Sequence, residues 1–457
     1  MPGSVAPAHD NRKGKSARSA KAPLRDWQDT VAVGTPGKTG SACHNSRCRS
    51  IPLQAPQTPS SAAPRPSSIA ARPVLLILTL SLAPTVGLGI GRFAYALVLP
   101  DMRDSLHWSY SAAGFMNTIN AAGYLAGALL ASRLIRRFGW SAAVRGGTLA
   151  SLASLALCAI TGNFLVLSLA RLIAGFGAAA SFVAGGALAA EIAQSRPERA
   201  SFLLSLFYAG PGLGILASGL IAPFVLQAFG AGSWWIVWWV LTALATAMTV
   251  PLLFTPISSK AAIANVAHAT FSIWPIAVYL AGYFLFGAGY IAYMTFMIAF
   301  VRDLGGGAIA QAAFWSLIGL SAFVTPWVWR GTLALDRGGL ATAIILSINA
   351  LGAALPILGH SAALLALSAV VFGIAFFAVV SSTTAFVRFN YPPVAWPTAI
   401  AAMTITFGIG QTLGPFVVGA LTDAFGSLAY ALNISAATLA LGAFASLFQR
   451  KLGKSST

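Results

Sequence analysis

Acidic side chains are scarce in this chain: ten in 457 residues, two of them glutamate. Charge of either sign is thin as well, at 8% against 57% hydrophobic residues, and mean hydropathy is +0.78. A soluble chain of this length would have to cover two or three domains with polar surface, and this composition cannot do so. Cysteine is nearly absent. Cys158 falls in an apolar run, and Cys43 and Cys48, with His44 between them, lack zinc-site spacing. No disulfide, metal or other cofactor is expected. The five histidines (His9, His44, His107, His268 and His360) are scattered, and no acid–base pair or nucleophile with its base gathers anywhere, so an enzyme is not expected. A Walker-type phosphate loop is missing too, which disfavours pumping by ATP.

What the chain has is long apolar runs. About 20 residues at a time, they recur from Pro73 to Phe448, the length a helix needs to cross ~30 Å of hydrocarbon. They do not alternate as barrel strands do. The fold class is therefore all-α membrane, with twelve expected helices at 73–99, 109–132, 142–161, 164–190, 201–228, 234–254, 273–300, 312–333, 340–358, 362–386, 399–422 and 428–448. Residues 1–72 read as a disordered basic tail or a misassigned start, 73–254 and 273–448 as two six-helix bundles, 255–272 as a cytoplasmic linker and 449–457 as a cytoplasmic tail.

The net charge of +18 does not point to nucleic acid, because eleven of the 28 basic residues precede Pro73. Of the remainder outside the spans, thirteen fall in alternate loops and the C-terminus, and only Arg103 and Arg302 fall on the other side. That asymmetry puts both termini in the cytoplasm of a bacterial inner membrane. Trp234, Trp235, Trp238 and Trp239 would then begin the sixth helix at the outer interface.

The two halves echo one another. Gly89–Tyr95 (GIGRFAY) matches Gly287–Tyr293 (GAGYIAY), Gly127–Arg133 matches Gly331–Arg337, and Gly210-Pro211 matches Gly414-Pro415; the last two pairs share an offset of 204 residues. Duplicated halves predict a solute site at their interface near the midplane. Gly123 and Gly127 have small-xxx-small spacing and, with Gly210, Pro211, Gly414 and Pro415, are expected to serve helix packing.

On these residues the chain after position 72 resembles the major facilitator superfamily. The loop signature after the second helix appears as GALLASRLIRRFG (Gly127–Gly139), with Ser132 where an acid is expected; the second-half copy keeps it as Asp336-Arg337-Gly338. The fourth helix carries Arg171 followed by Gly175 and Gly177, and GPGLG (Gly210–Gly214) is part of a fifth-helix signature frequent among exporters. Gly89–Met102 and Asn117–Leu130 resemble the bacterial YbfB/YjiJ-type branch. The resemblance implies two pseudo-symmetric six-helix halves, a cavity lined by the first, fourth, seventh and tenth helices, and secondary transport of a small solute by alternating access, in a monomer.

Two charges lie inside spans, Arg92 and Arg171, each costing roughly 2.5–3.5 kcal/mol at a helix centre. Counted at 1.5 Å per residue, both fall in one layer. Without a buried carboxylate beside them they favour an anionic or carboxylate-bearing solute. Tyr95, Asn117, Asn120, Tyr290, Tyr293 and Gln411 complete the candidate substrate-binding set, although Asn117 and Asn120 also suit hydrogen bonding between helices. Tyr290 takes the arginine's place in the second half. Arg133, Arg136 and Arg137 facing Asp336 and Arg337 would form a cytoplasmic latch, and Asp101 or Glu191 would be the site of any proton coupling. Broad-specificity efflux remains an alternative, and a membrane sensor or enzyme a more distant one.

Overall fold

The computed structural model describes residues 73–257, 272–392 and 395–452. The expected tail, Cys43, Cys48, most of the linker including Lys260 and His268, and Lys454 lie outside the described residues. Among the described residues, twelve helices are long and apolar enough to cross a membrane: α1 (Pro73–Ser105), α2 (Tyr110–Phe138), α3 (Trp140–Ile160), α4 (Phe164–Gln194), α5 (Pro197–Phe229), α6 (Trp234–Phe254), α7 (Trp274–Asp303), α8 (Ala308–Val328), α9 (Leu340–Leu358), α10 (Ala362–Asn390), α11 (Trp396–Phe425) and α12 (Leu428–Leu447). They form two six-helix halves, α1–α6 and α7–α12. Several run a turn beyond the apolar stretch. Ser109, Asn163 and Ser361 cap α2, α4 and α10 by accepting backbone N–H bonds, and such caps extend a helix past its hydrophobic limit. Below, the side where α1 begins and α12 ends is the terminal side, and the opposite side is distal.

Two helices depart from regularity where the sequence loses hydrogen-bond donors. Between Pro84 and Ala94, α1 widens into a nine-residue π-helical stretch, Thr85–Phe93. Proline removes a donor and three alternate glycines lower the cost of the wider turn. α5 breaks at Ala209, just before Gly210-Pro211. The two irregular segments lock together: Thr85 Oγ1 donates to Gly210 O at 2.9 Å. A β-carbon on Gly89 would lie 2.5 Å from Gly214 Cα and 2.6 Å from Pro211 O.

Of the four tryptophans at the start of α6, Trp234 and Trp238 are packed inside and only Trp235 and Trp239 face outward. The helical period places residues four apart on one face, so the interfacial belt is half as wide as expected.

The halves join along α2–α11 and α5–α8. A β-carbon on Gly114 of α2 would lie 2.3 Å from Pro415 O of α11. The packing glycines behave alike: a β-carbon on Gly123 or Gly127 would strike the α4 backbone, and one on Gly414 the α7 backbone. Among the described residues, polar contacts tie the halves on the distal side and at the centre. Asp423 accepts the N–H groups of Tyr110 and Ser111 at 2.8 Å each, Arg302 pairs with Asp104 at 2.6 Å, and Thr118 donates to Thr412 O at 2.7 Å. At the terminal end Arg133, Arg136, Arg137 and Arg337 are exposed, and Asp336 pairs with Lys451 of its own half. The expected latch is apart in this state.

Because Gly89 meets backbone rather than a side chain that can swing away, Gly89→Ala should overpack α1 against α5 and cost about 1–3 kcal/mol. Thermal unfolding of the purified protein in detergent should show a lower midpoint, and an unchanged midpoint would contradict the packing described.

Candidate functional site

Arg171 and Arg92 lie in one layer, as their sequence positions predict, yet their surroundings differ. Arg171 is 2% exposed. Its Nη1 donates to Gly91 O at 2.6 Å, and its Nη2 donates to Arg92 O at 3.2 Å and Asn117 Oδ1 at 3.0 Å. The Tyr95 ring lies under its guanidinium, 4.8 Å away. The carbonyls it holds belong to the end of the π-helical stretch, whose wider winding disturbs the usual backbone pairing. A cation that satisfies backbone oxygens in a membrane interior is itself satisfied by them. Arg171 thus clamps α1 in position.

Arg92 projects from the segment that Arg171 holds. Its Nη2 donates to Gln411 Oε1 of α11, and its guanidinium stands 5.1 Å from the centre of the Tyr124 ring. The Tyr290 hydroxyl of α7 donates to the same Gln411 oxygen at 2.8 Å. Arg92 and Tyr290 are the residues that the internal repeat equates, one in each half, and both converge on one oxygen. Arg92 Nε and Gln411 Nε2 are buried and, among the described residues, have no hydrogen-bond partner.

These three side chains line a central cavity of about 60 Å³ with Leu88, Phe93, Tyr124, Phe182, Phe286, Phe376, Phe377, Val380 and Phe407. No carboxylate is in this lining. The volume is well short of the ~300 Å³ at which ligand pockets usually begin, so this is a contracted state that the halves must open to admit a solute. Tyr279, Tyr283, Phe286 and Tyr290 recur at spacings of four, three and four along α7, which puts them on one face. Tyr283, Phe286 and Tyr290 stack with Phe407 of α11, and Tyr290 stacks in turn with Phe376 of α10. The α7 spacing and the FGIAFF run of α10 were signals present in the sequence. Phe286, Phe376, Phe377 and Phe407 were nevertheless missed, because aromatic residues in an apolar helix read as packing.

The other expected contacts sit elsewhere. The Tyr95 hydroxyl donates to Ala113 O at 2.8 Å and Tyr293 hydrogen-bonds Ser368 at 2.6 Å, so neither lines the cavity. Asn117 donates to Thr295 across the halves at 2.7 Å, and Asn120 donates to Arg171 O at 3.0 Å. Both amides join helices. Arg171 likewise lines no part of the cavity; its two Nη groups are held by α1 and α2, and its Nε, like that of Arg92, has no hydrogen-bond partner among the described residues. Asp101 is a helix cap, its carboxylate accepting Gly232 N at 2.8 Å and Trp234 N at 2.9 Å. It borders a separate distal cavity of about 300 Å³ with Arg302, Gln227 and Gln311. Glu191 lies in the last turn of α4, on the terminal side. In α10, Ser382 and Thr383 donate to their own backbone, the habit of hydroxyls in such helices.

Twelve helices long and apolar enough to span a membrane, in two repeated halves that meet at a buried polar site near the middle of the bundle, define a transporter of the major facilitator fold. The chain belongs to the family described as "Uncharacterised MFS-type transporter YbfB", whose model matches residues 84–447. No curated protein matches it. Solved structures with the same fold include two of the nucleoside transporter NupG. One is a mutant form, with a TM-score of 0.67, 16% identity and coverage of 82% of this chain and 99% of that one. The other has a TM-score of 0.63, 15% identity and coverage of 82% and 98%. A bacterial homologue of the human lysosomal transporter Spinster, inward-facing and occupied, gives a TM-score of 0.62, 16% identity and coverage of 82% and 95%.

The two arginines should separate by what their loss does. Arg171→Ala strips donors from two backbone carbonyls and an amide, each worth about 1–3 kcal/mol when buried, and should lower the unfolding midpoint sharply or abolish folded yield. Arg92→Gln, held by one neutral partner, should leave the midpoint nearly unchanged. Parallel thermal scans of the two variants make the comparison, and equal losses would count against distinct roles.

Proposed function

We propose that this transporter moves a small organic anion across a bacterial inner membrane by alternating access, with both termini in the cytoplasm and each protomer working as a monomer. The observation that carries the reading is the convergence of Arg92 and Tyr290, from opposite halves, on the one oxygen of Gln411. Two donors aimed at one point make a place for an oxygen atom, and the guanidinium favours that oxygen being charged. Gln411 fills the place in the contracted state. The unpaired Arg92 Nε and Gln411 Nε2 leave a surplus of donors there, which an anion's acceptors relieve. The thirteen-to-two distribution of loop cations supports the orientation, with the distal side periplasmic.

In this orientation the structure is closed towards the periplasm. The distal ties of Asp423 and Asp104 hold it so, and Arg133, Arg136 and Arg137 would meet Asp336 when the halves rock the other way. A nucleoside, the solute named for one structural neighbour, is neutral and would leave Arg92 uncompensated.

Two measurements test this. In proteoliposomes, Arg92→Gln should lower anion transport by about 10- to 100-fold, the range expected for losing a charge-assisted hydrogen bond worth about 1.5–3 kcal/mol, while the protein remains folded; undiminished transport would sink the anion reading. Separately, Thr295→Cys in a cysteine-free background reports the closed distal side. Adding Asp423→Ala should raise its labelling by an impermeant maleimide several-fold, and no rise would argue against that closure.

A further inference from the structure

We propose that the solute is a planar aromatic monocarboxylate whose ring extends the aromatic column of the C-terminal half while its carboxylate takes the Gln411 oxygen's place on Arg92. This rests on the anion reading above and narrows it.

The first ground is the composition of the wall. Eight of the twelve lining residues are aromatic, and only Leu88 and Val380 are aliphatic. A pocket for an alkyl chain has no need of that bias. The second ground is ring orientation. Tyr290 and Phe407 are within 8° of parallel with centres 5.7 Å apart, Phe286 and Tyr290 are within 20° at 4.9 Å, and Tyr290 and Phe376 are within 20° at 6.0 Å. From the other half Phe93 meets Phe376 edge-on, at 85°. Parallel faces on one side and an edge on the other are the two arrangements in which an aromatic guest is favoured. As the halves part, a flat ring can enter between them without turning the column's members.

The third ground is charge. Arg171 is spent on carbonyls and on Asn117, which leaves Arg92 as the one cation in the lining. One carboxylate is matched. A second carboxylate would rest on the negative faces of rings, and an ammonium would sit beside a guanidinium with no carboxylate to answer it. The polar cluster meets the stack at Tyr290, its middle ring, whose hydroxyl bonds Gln411 beside Arg92. A molecule with its charge at one end and its ring at the other therefore fits both parts together.

The experiment uses the full-length protein, purified in nanodiscs, with six probes: benzoate, indole-3-acetate, cyclohexanecarboxylate, succinate, benzylamine and uridine. Binding is read by calorimetry and transport by counterflow in proteoliposomes. The better of the two aryl acids should bind about three- to tenfold more tightly than cyclohexanecarboxylate, the ratio that ring stacking provides beyond area alone, with the remaining three weaker still. Phe376→Leu combined with Phe407→Leu should bring the ratio close to one while binding stays dependent on Arg92. If cyclohexanecarboxylate or succinate matches the aryl acids and Arg92→Gln abolishes both, the aromatic inference falls and the anion reading survives. If benzylamine or uridine binds best and Arg92→Gln has no effect, both fall. Failure of both aryl acids to bind at millimolar concentration overturns the inference without needing any variant.

Discussion

Two guanidinium groups buried in one layer of a membrane, with no carboxylate to neutralise either, constrain everything around them. The cost of such charges in hydrocarbon is several kcal/mol each unless backbone or side-chain dipoles answer them. The protein answers both Nη groups of Arg171, through two backbone carbonyls and the Asn117 amide, and leaves only its Nε without a partner among the described residues. The carbonyls come from the π-helical end of α1, so the irregular winding and the buried cation resolve each other's deficit. Neither feature is stable in lipid without the other. Arg92 belongs to the same segment, and its position is fixed by a clamp that takes no part in lining the cavity.

Arg92 itself is answered only in part. Its single described hydrogen-bond partner is a neutral amide on the opposite half, which makes the polar site and the junction of the halves one object. Anything that takes Gln411's place on Arg92 also loosens a central tie between α1 and α11, and Tyr290 on α7 feels the same exchange. Binding and rocking are then linked without a relay through distant residues. A ligand shifts such an equilibrium only by its unequal affinity for the two states. The anion proposed above would meet that condition, because its oxygen cannot take the place on Arg92 while Gln411 holds it.

Much of this was legible in the sequence. The spans follow from apolar runs whose length is set by the bilayer, and the pairing of Arg92 with Tyr290 follows from the repeat GIGRFAY/GAGYIAY. What was not legible depends on contacts between distant segments. Arg171 and Arg92 look alike as lone arginines in apolar helices, and only the winding of α1 separates a clamp from a free donor. Asp101 looks like a cavity-mouth acid until the α5–α6 turn folds its N–H groups onto it, and Asp423 ends α11 with nothing local to reveal that it caps α2. Tyr95 and Tyr293 echo each other in the repeat, yet each hydroxyl turns to a neighbouring helix within its own half. The aromatic column was hidden for a different reason: phenylalanine is ordinary in a membrane helix, so its spacing carries weight only once its neighbours are known.

The charge arrangement also bears on direction. A fixed cation that moves little as the halves rock does not compensate a solute anion for crossing the field, and each elementary charge is worth about 2.3 kcal/mol per 100 mV. With the interior negative, an anion carried alone runs outward. Accumulating the proposed anion inside would require a coupled cation or an exchanged anion, and the cavity lining offers no acid to carry a proton. Of the distal acids, Asp101 caps α6, Asp423 caps α2 and Asp104 pairs with Arg103 and Arg302, while Asp303 is exposed at the end of α7, outside the cavity lining. For the anion proposed above, a proton carried on the solute's own carboxyl group would remove the charge that Arg92 answers. The guanidinium suits the charged form, and for the anion proposed above the membrane potential would favour the outward direction.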